Sequence, residues 1–259
     1  MMKDSTIYNV RAVERAVRVL SSFDREHHER GVSEIARATG LHRATTHRIV
    51  ATLFNCGFLE RAADGERYRL GFGVVKLGLG VLGRLDFRRE ALPYMQQLVD
   101  RFQETCTLGI FDRGQVLFVE VLGSRRSLIA SARVGGHLPI HCTASGKVLL
   151  AFLAPEVVEP ILDAPLATYT EKTITSPDRL REELEVVRQR GYALNDEEFE
   201  AGLRAVSVPI RDIDGNVIAE ISMPGPAERL ELERIPEIAQ AMVEAANAVS
   251  ARGLARMTY

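Results

Sequence analysis

Residues 32–48, VSEIARATGLHRATTHR, constrain the fold more than any other stretch of the 259-residue chain. Apolar residues at helical spacing predict a short helix that ends near Thr39. Gly40 can take the left-handed backbone conformation that ends a helix and turns the chain. We expect Ser33 to cap this helix with its hydroxyl group. A polar helix then restarts at His42, so the pattern is typical of a helix-turn-helix.

The second helix of the pair carries its polar residues at its N-terminal end. Helices that read the DNA major groove contact base edges with their N-terminal residues, which favours a DNA-reading role for this helix. The alternative is an ordinary small helical hairpin with a glycine turn. The candidate DNA-contacting residues of the pair are Ser33, His42, Arg43, Ala44, Thr45, Thr46, His47 and Arg48.

The flanking segments strengthen the DNA-binding interpretation. A supporting first helix is predicted by apolar residues at helical spacing, namely Val10, Val13, Val17, Leu20 and Phe23. After the pair, Asp64-Gly65 separates two short β-prone runs, which is a strong hairpin signal. Arg61, Arg67 and Arg69 lie on this hairpin, where they can meet phosphate groups. Residues 1–71 are therefore predicted to form a winged helix-turn-helix DNA-binding domain.

Charge and cysteine content narrow the class of protein. Residues 1–72 carry a net charge of +3 within a chain of net charge −2, which fits phosphate contact but is weak evidence alone. Cys56, Cys106 and Cys142 are far apart, so neither a disulfide framework nor a zinc site is expected. Because the N-terminus lacks a long apolar core and no long apolar run occurs, we expect a cytoplasmic protein without signal peptide or membrane span.

Residues 72–88, FGVVKLGLGVLGRLDFR, join this domain to the rest of the chain. Each interior glycine weakens a helix by about 1 kcal/mol relative to alanine, so packing must compensate. We predict a linker helix docked against a partner chain, and the alternative is a strand or helix buried within one chain.

Residues 89–259 mix helices and strands without regular alternation, which predicts an α+β domain around a largely antiparallel sheet. Strands are expected at Cys106–Phe111, Gln115–Leu122, Ser127–Arg133, Tyr192–Leu194, Ala205–Arg211 and Asn216–Met223. Helices are expected at Leu92–Phe102, Thr143–Leu153, Pro177–Arg190 and Leu230–Arg252. Gly135–Pro139 is expected to be a loop.

The segment His141–Lys147, HCTASGK, is the one stretch that suggests catalysis. It lacks the first glycine and the Ser or Thr of a phosphate-binding loop, and it lacks the nucleophile elbow of a hydrolase. Pro139 argues against a helical metal site formed by His137 and His141. We therefore expect no enzyme activity, no metal and no cofactor. A helix start here can hold a carboxylate on its backbone N–H groups, and the alternative is a plain capped helix.

Five segments together resemble the IclR family of bacterial transcriptional regulators, in the order and spacing of that family. They are VSEIARATGLHRATTHRIVATLFNCGFLER, YRLGFGVVKLG, LPIHCTASGKVLLAFL, TSPDRLREELEVVRQRGYALNDEEFEAGLRAVSVPI and ISMPGP. The resemblance implies an N-terminal winged helix-turn-helix, a linker helix and a C-terminal GAF-like effector-binding domain. It also implies a homodimer or homotetramer that binds operator DNA and represses or activates a catabolic operon.

The resemblance further implies an effector pocket, with family positions that fall here on Thr143, Ala144, Ser145, Asn195, Asp196, Leu203, Ala205 and Ser222. Asn195, Ala205 and Pro224 stand where members that bind very small acids are more polar. An apolar pocket suits a larger or partly aromatic organic acid. Arg133 and His141 are further candidates for pairing with its carboxylate.

The function expected from the sequence is therefore a transcriptional regulator whose affinity for operator DNA responds to a small organic acid. Alternatives are a small-molecule sensor that acts through protein partners, a hydrolase that uses Ser145, and an architectural DNA-binding protein.

Overall fold

The computed structural model describes residues 9–24, 26–83, 85–123 and 132–254. The chain divides into two compact units, residues 1–84 and residues 85–259. Most of the strand predicted over Ser127–Arg133 lies outside the described residues.

The first unit is a helix-turn-helix with a β-hairpin. Its elements in the described residues are α1 (Arg11–Leu20), α2 (Val32–Thr39), α3 (Arg43–Asn55), β1 (Leu59–Arg61), β2 (Tyr68–Leu70) and α4 (Phe72–Leu82). Strands β1 and β2 pair antiparallel, with Leu59 opposite Leu70. Residues from all three N-terminal helices and the hairpin form one core, which contains Val19, Ile35, Val50, Leu53, Leu59 and Tyr68. The predicted winged arrangement of helices and hairpin is confirmed.

Helix α2 is capped by a carboxylate, and the expected capping role of Ser33 is wrong. The N-cap is Gly31, whose backbone N–H donates to Glu34 Oε2 at 2.8 Å. Ser33 lies one residue inside the helix with its side chain exposed. A carboxylate in the first turn satisfies a free N–H and interacts favourably with the helix dipole. Gly40 ends α2 in the left-handed conformation, with a φ of 66°, as predicted.

Helix α1 forms as predicted, but only Leu20 and Phe23 of the predicted apolar series contact the first unit's core. Val19 is fully buried, whereas the side chains of Val10, Val13 and Val17 are more than half exposed. Apolar spacing shows that a helix has an apolar face, but α1 packs on the first unit's core through Ala16, Val19 and Leu20. The three valines form a stripe that is exposed among the described residues.

Helix α4 is shorter than the linker helix predicted over residues 72–88. It ends at Leu82 and the next helix begins at Asp86, so the prediction of one continuous helix is wrong. The backbone of Leu85 has φ −89° and ψ 70°, outside the helical region. Asp86 favours the new start because an acidic residue interacts well with the N-terminal end of a helix dipole.

The second unit is built on an antiparallel sheet in the strand order β5-β4-β3-β8-β7-β6. The strands are β3 (Cys106–Asp112), β4 (Gln115–Leu122), β5 (His137–Pro139), β6 (Ala193–Asp196), β7 (Leu203–Arg211) and β8 (Val217–Pro226). The helices are α5 (Asp86–Phe102), α6 (Ala144–Phe152), α7 (Pro155–Leu162), α8 (Pro177–Arg190) and α9 (Ile235–Ser250). The predicted α+β class and antiparallel sheet are confirmed.

Helix α6 is the central helix of the second unit. It packs against β7, β8 and α8, and residues 144–151 are all buried. Helices α5 and α9 pack on each other, and α9 also packs on β7. Because strand side chains alternate between faces, Ala205 and Ser207 share one face of β7 while Val206 and Val208 point to the other.

Three elements of the second unit differ from the sequence prediction. Residues 137–139 form strand β5 rather than a loop, and helix α7 was not predicted. The closing helix starts at Ile235 rather than Leu230, because a 3₁₀ turn over Leu232–Arg234 precedes it and Pro236 sits in its first turn. None of the helices in the described residues combines the length and apolar character needed to cross a membrane.

Candidate functional site

The N-terminal half of α3 presents most of the predicted DNA-contacting residues on its surface. His42 is the N-cap, and its ring accepts a hydrogen bond from the Ala44 backbone N–H at 3.4 Å. Arg43, His47 and Arg48 are exposed. Their donors therefore lie on the outer side of the helix, where a groove-reading helix carries them.

Thr46 does not share this surface, so its predicted DNA contact is wrong. Its side chain is fully buried, and its hydroxyl donates to the His42 carbonyl oxygen at 3.2 Å. The hydroxyl therefore stabilises the helix start. Thr45 lies one position earlier and is partly exposed.

The three arginines of the hairpin are exposed, but two are already paired with carboxylates. Arg67 contacts Asp64 at 2.8 Å, and Arg69 contacts Glu60 at 2.7 Å. The Arg67 guanidinium beside Asp64 lowers the pKa of that carboxyl to about 2. Arg61 instead donates to the Gly65 carbonyl and lies over the ring of Tyr68 at 5.2 Å. Phosphate contact by Arg67 or Arg69 would compete with these ion pairs.

A cavity of about 400 Å³, including its open part, lies in the second unit between the start of α6 and the sheet. Seven of the eight predicted ligand residues line it, namely Thr143, Ala144, Ser145, Asn195, Leu203, Ala205 and Ser222.

The remaining lining residues were not predicted, because they come from segments that meet only in the folded chain. They are Thr107, Phe118, Ala132, Leu138, Phe199 and Pro224. The sequence placed Thr107 and Phe118 on predicted strands, and this was the one signal that could have found them. Strand alternation does not say which face of the sheet is covered. These residues make the walls largely apolar and partly aromatic.

The start of α6 is held in place by Thr143 and Gly146. The Thr143 hydroxyl donates to the Pro139 carbonyl oxygen at 2.7 Å and accepts from the Gly146 N–H at 3.1 Å. A Cβ atom on Gly146 would lie 1.9 Å from the Ile140 carbonyl oxygen. The helix therefore starts flush against the preceding backbone, with its positive dipole end at the cavity.

Three predicted carboxylate or ligand contacts are placed elsewhere by the structure. Asp196 pairs with Arg204 at 2.6 Å and with Lys172 at 3.2 Å, because it follows Asn195 on strand β6 and so points to the opposite face. His141 hydrogen-bonds through Nε2 to the Ala167 carbonyl oxygen at 2.9 Å. Arg133 is exposed. None of the three is among the residues lining the described cavity.

The polar groups of the lining are mostly satisfied within the protein. Asn195 Oδ1 accepts from the Glu198 N–H at 2.8 Å, and the Ser222 hydroxyl donates to the Val206 carbonyl oxygen at 3.1 Å. Thr107 Oγ1 is fully buried and has no hydrogen-bond partner among the described residues. An unpartnered buried hydroxyl that lines a cavity can hydrogen-bond to a bound ligand.

Two charged side chains that sequence reasoning missed lie behind the cavity wall. Lys147 is 1% exposed, and its Nζ lies 2.6 Å from Glu198 Oε1 and 3.2 Å from Glu183 Oε1. Glu220 is fully buried on β8. Burial raises the pKa of Glu220 to about 7, although hydrogen bonding from Ser207 and Ser145 acts in the opposite direction.

Comparison with known proteins decides the family. Residues 12–63 match the model of the IclR helix-turn-helix domain, and residues 79–251 match that of the bacterial transcriptional regulator IclR C-terminal domain. The chain belongs to the IclR family. This IclR-family protein is a DNA-binding transcriptional regulator and not an enzyme, as the sequence predicted, since its relatives are transcriptional regulators.

Individual relatives agree with the family match. The IclR-family chain is 32% identical over 242 residues to the HTH-type transcriptional regulator XynR of Escherichia coli, covering 93% of this chain and 96% of XynR. It is 33% identical over 228 residues to KdgR of the same organism, covering 88% and 87%. Among solved structures, an IclR homolog from Microbacterium hydrocarbonoxydans complexed with 4-hydroxybenzoate superposes with a TM-score of 0.85 at 34% identity, covering 93% of this chain and 98% of that one.

Proposed function

We propose that this regulator binds operator DNA through the start of α3 and that a small organic, partly aromatic acid in the second-unit cavity changes its affinity for that DNA. The apolar cavity at the start of α6 carries the proposal. Its aromatic walls suit a ring. The helix start suits polar groups, as does the Thr107 hydroxyl, which has no partner among the described residues. The structural relative complexed with 4-hydroxybenzoate supports the same class of effector.

In this proposal residues 1–71 bind DNA, α4 links the units, and residues 89–259 bind the effector in a homodimer or homotetramer. Two recognition helices must reach major grooves about 34 Å apart, or a multiple of that distance, so pairing of chains is required. Helix α4 exposes an apolar series suited to a partner chain, namely Phe72, Val75, Leu77, Leu79 and Val81. A change in the spacing of the two recognition helices would then couple effector to operator, and the genes controlled would be those of a catabolic operon.

The test is a mobility-shift titration on the intergenic DNA upstream of the gene, at one fixed salt concentration, with and without benzoate, 4-hydroxybenzoate and hexanoate. We expect a specific shift whose midpoint is changed by an aromatic acid. Arg43→Ala should weaken binding by about tenfold to a hundredfold, because a base-contacting arginine contributes about 1–3 kcal/mol. Arg179→Ala, an exposed arginine on α8, is the matched control and should bind as the wild type does.

Two results would contradict the proposal. A chain that shifts no upstream DNA under any condition would favour a sensor that acts through protein partners. Equal shifts of upstream and random DNA would indicate an architectural DNA-binding protein. Calorimetry adds a further check, because operator DNA must change effector affinity by the same factor, typically five- to 150-fold in coupled systems.

A further inference from the structure

Glu220 lies directly behind the cavity, on the sheet face that α6 covers. It precedes Ser222 by two positions on β8, and strand residues two apart share a face. Opposite it on β3 is Gly109, where a Cβ atom would come within 2.3 Å of Glu220 Oε1. The missing side chain of Gly109 therefore provides the space that the Glu220 carboxyl occupies.

The hydrogen-bond partners around this carboxyl do not fully satisfy its ionised form. The Ser207 hydroxyl has one hydrogen but lies near two acceptors, Glu220 Oε2 at 2.6 Å and the Ile221 carbonyl oxygen at 3.2 Å. Both contacts become full hydrogen bonds when Glu220 carries a proton on Oε2 and donates it to Ser207 Oγ. Glu220 Oε1 has no hydrogen-bond partner among the described residues.

The elements packed around Glu220 present no charge that would stabilise its ionised form. Strand β7 contributes Ser207, and the start of α6 contributes Ser145, which also lines the cavity. Strand β3 contributes Gly109 and the Cys106 thiol, whose pKa burial raises so far that it stays neutral. Lys147, two residues beyond Ser145, is already paired with Glu198 and Glu183. Burial accordingly raises the pKa of Glu220 to about 7.

We propose that Glu220 couples effector binding to a proton: an anionic effector binds the cavity together with one proton, which resides on the Glu220 carboxyl group. An ionised Glu220 would place a second negative charge behind Ser145 in the buried interior, where like charges repel strongly. The effector carboxylate is thus accepted when Glu220 is neutral and rejected when it is ionised. This inference rests on the proposed function, because it concerns the same cavity and an acidic effector.

The coupling predicts a specific pH dependence. Binding requires the protonated fraction of Glu220, so the apparent affinity falls as pH rises through the titration of this group. Between pH 6 and pH 8 the affinity for benzoate should fall about tenfold. Benzoate itself stays ionised over this interval, since ordinary carboxyl groups titrate near pH 4. Any pH dependence therefore comes from the protein.

The test is isothermal titration calorimetry of benzoate and 4-hydroxybenzoate with the full chain at pH 6 and pH 8. Each titration at pH 8 is repeated in two buffers of different ionisation enthalpy, which counts the protons taken up. We expect the tenfold loss of affinity and uptake of nearly one proton at pH 8. Glu220→Gln should bind equally at both pH values without proton uptake. Glu185→Gln, an exposed glutamate on α8, is the matched control and should keep the wild-type dependence.

The outcomes separate this inference from the proposed function. Binding of an acid with equal affinity at both pH values and no proton uptake would overturn the role of Glu220 and leave the effector class intact. A pH dependence that persists in Glu220→Gln would overturn that role as well, and would assign the coupled proton to another group. Failure of every acid to bind at either pH would reject the acid-effector function and this inference with it. If Glu220→Gln does not fold, the absence of proton uptake by the wild-type chain would still overturn the inference.

Discussion

Replacing Lys147 with methionine should destabilise this regulator more than any single change on its surface. The ammonium group is 1% exposed and lies between Glu198 at 2.6 Å and Glu183 at 3.2 Å. Methionine keeps much of the apolar stem but removes the charge. Because Glu183 also pairs with Arg190 at 3.2 Å, the loss falls mainly on Glu198.

The magnitude follows from the burial of Glu198. Removing one partner of a buried ion pair typically destabilises a protein by about 3–5 kcal/mol, because the other charge stays buried and uncompensated. Glu198 Oε2 already has no hydrogen-bond partner among the described residues, and burial raises the pKa of this carboxyl. We expect a loss near that range for Lys147→Met. Lys172→Met is the matched control, since Lys172 forms ion pairs with its side chain half exposed, and it should lose much less stability than Lys147→Met.

The assay is urea unfolding of the full chain followed by far-ultraviolet circular dichroism. Lys147→Met/Glu198→Gln should recover most of the lost stability, because the double variant leaves no unpaired charge at Glu198. Lys147→Met alone should also regain stability as pH falls, since protonation neutralises Glu198. The reasoning is refuted if Lys147→Met loses no more than Lys172→Met, or if the double variant is as unstable as the single one.

Two further predictions concern neighbouring groups. Gly146→Ala should lower the free energy of unfolding by about 2 kcal/mol or more and abolish acid binding, because the added Cβ would lie 1.9 Å from the Ile140 carbonyl oxygen. Gly78→Ala on α4 is the control, since a Cβ atom there meets no atom within 4 Å. Urea unfolding and calorimetry compare the two variants. For Glu220, whose pKa burial raises to about 7, the stabilising contribution of the bound proton is complete at acidic pH and is lost as pH rises through 7. The wild type should therefore lose up to about 3 kcal/mol relative to Glu220→Gln between pH 5 and pH 8, and equal pH profiles of unfolding would contradict this.

The first unit was predictable because its signals are local. Gly40 takes a left-handed conformation, and Asp64-Gly65 favours a tight turn. Each of these segments determines a reversal of the chain without reference to distant residues. The buried face of α1 and the end of α4 were not predictable in this way. Val10, Val13 and Val17 satisfy helical periodicity and yet stay exposed, because periodicity does not say which elements cover a face.

The cavity was predictable only as far as the family resemblance extended. Ser145, Ala205 and Ser222 line the cavity, whereas Asp196 does not, because a strand turns neighbouring residues to opposite faces. Lys147 and Glu220 are ionisable residues of types that a sequence pattern assigns to the surface. Their burial depends on partners that lie far away in the chain, Glu198 for Lys147 and Ser207 and Gly109 for Glu220.

The buried ion pair and the cavity share one segment of chain. The pair can therefore position the cavity wall, although burying two charges is energetically unfavourable. The Glu198 side chain forms the ion pair with Lys147, and its backbone N–H donates to Asn195 Oδ1. The next residue, Phe199, forms part of the cavity wall. Replacing both charges can restore stability without restoring this placement. The double variant should therefore unfold near the wild-type urea concentration but bind benzoate more weakly. Wild-type affinity in that variant would show that the ion pair does not position the wall.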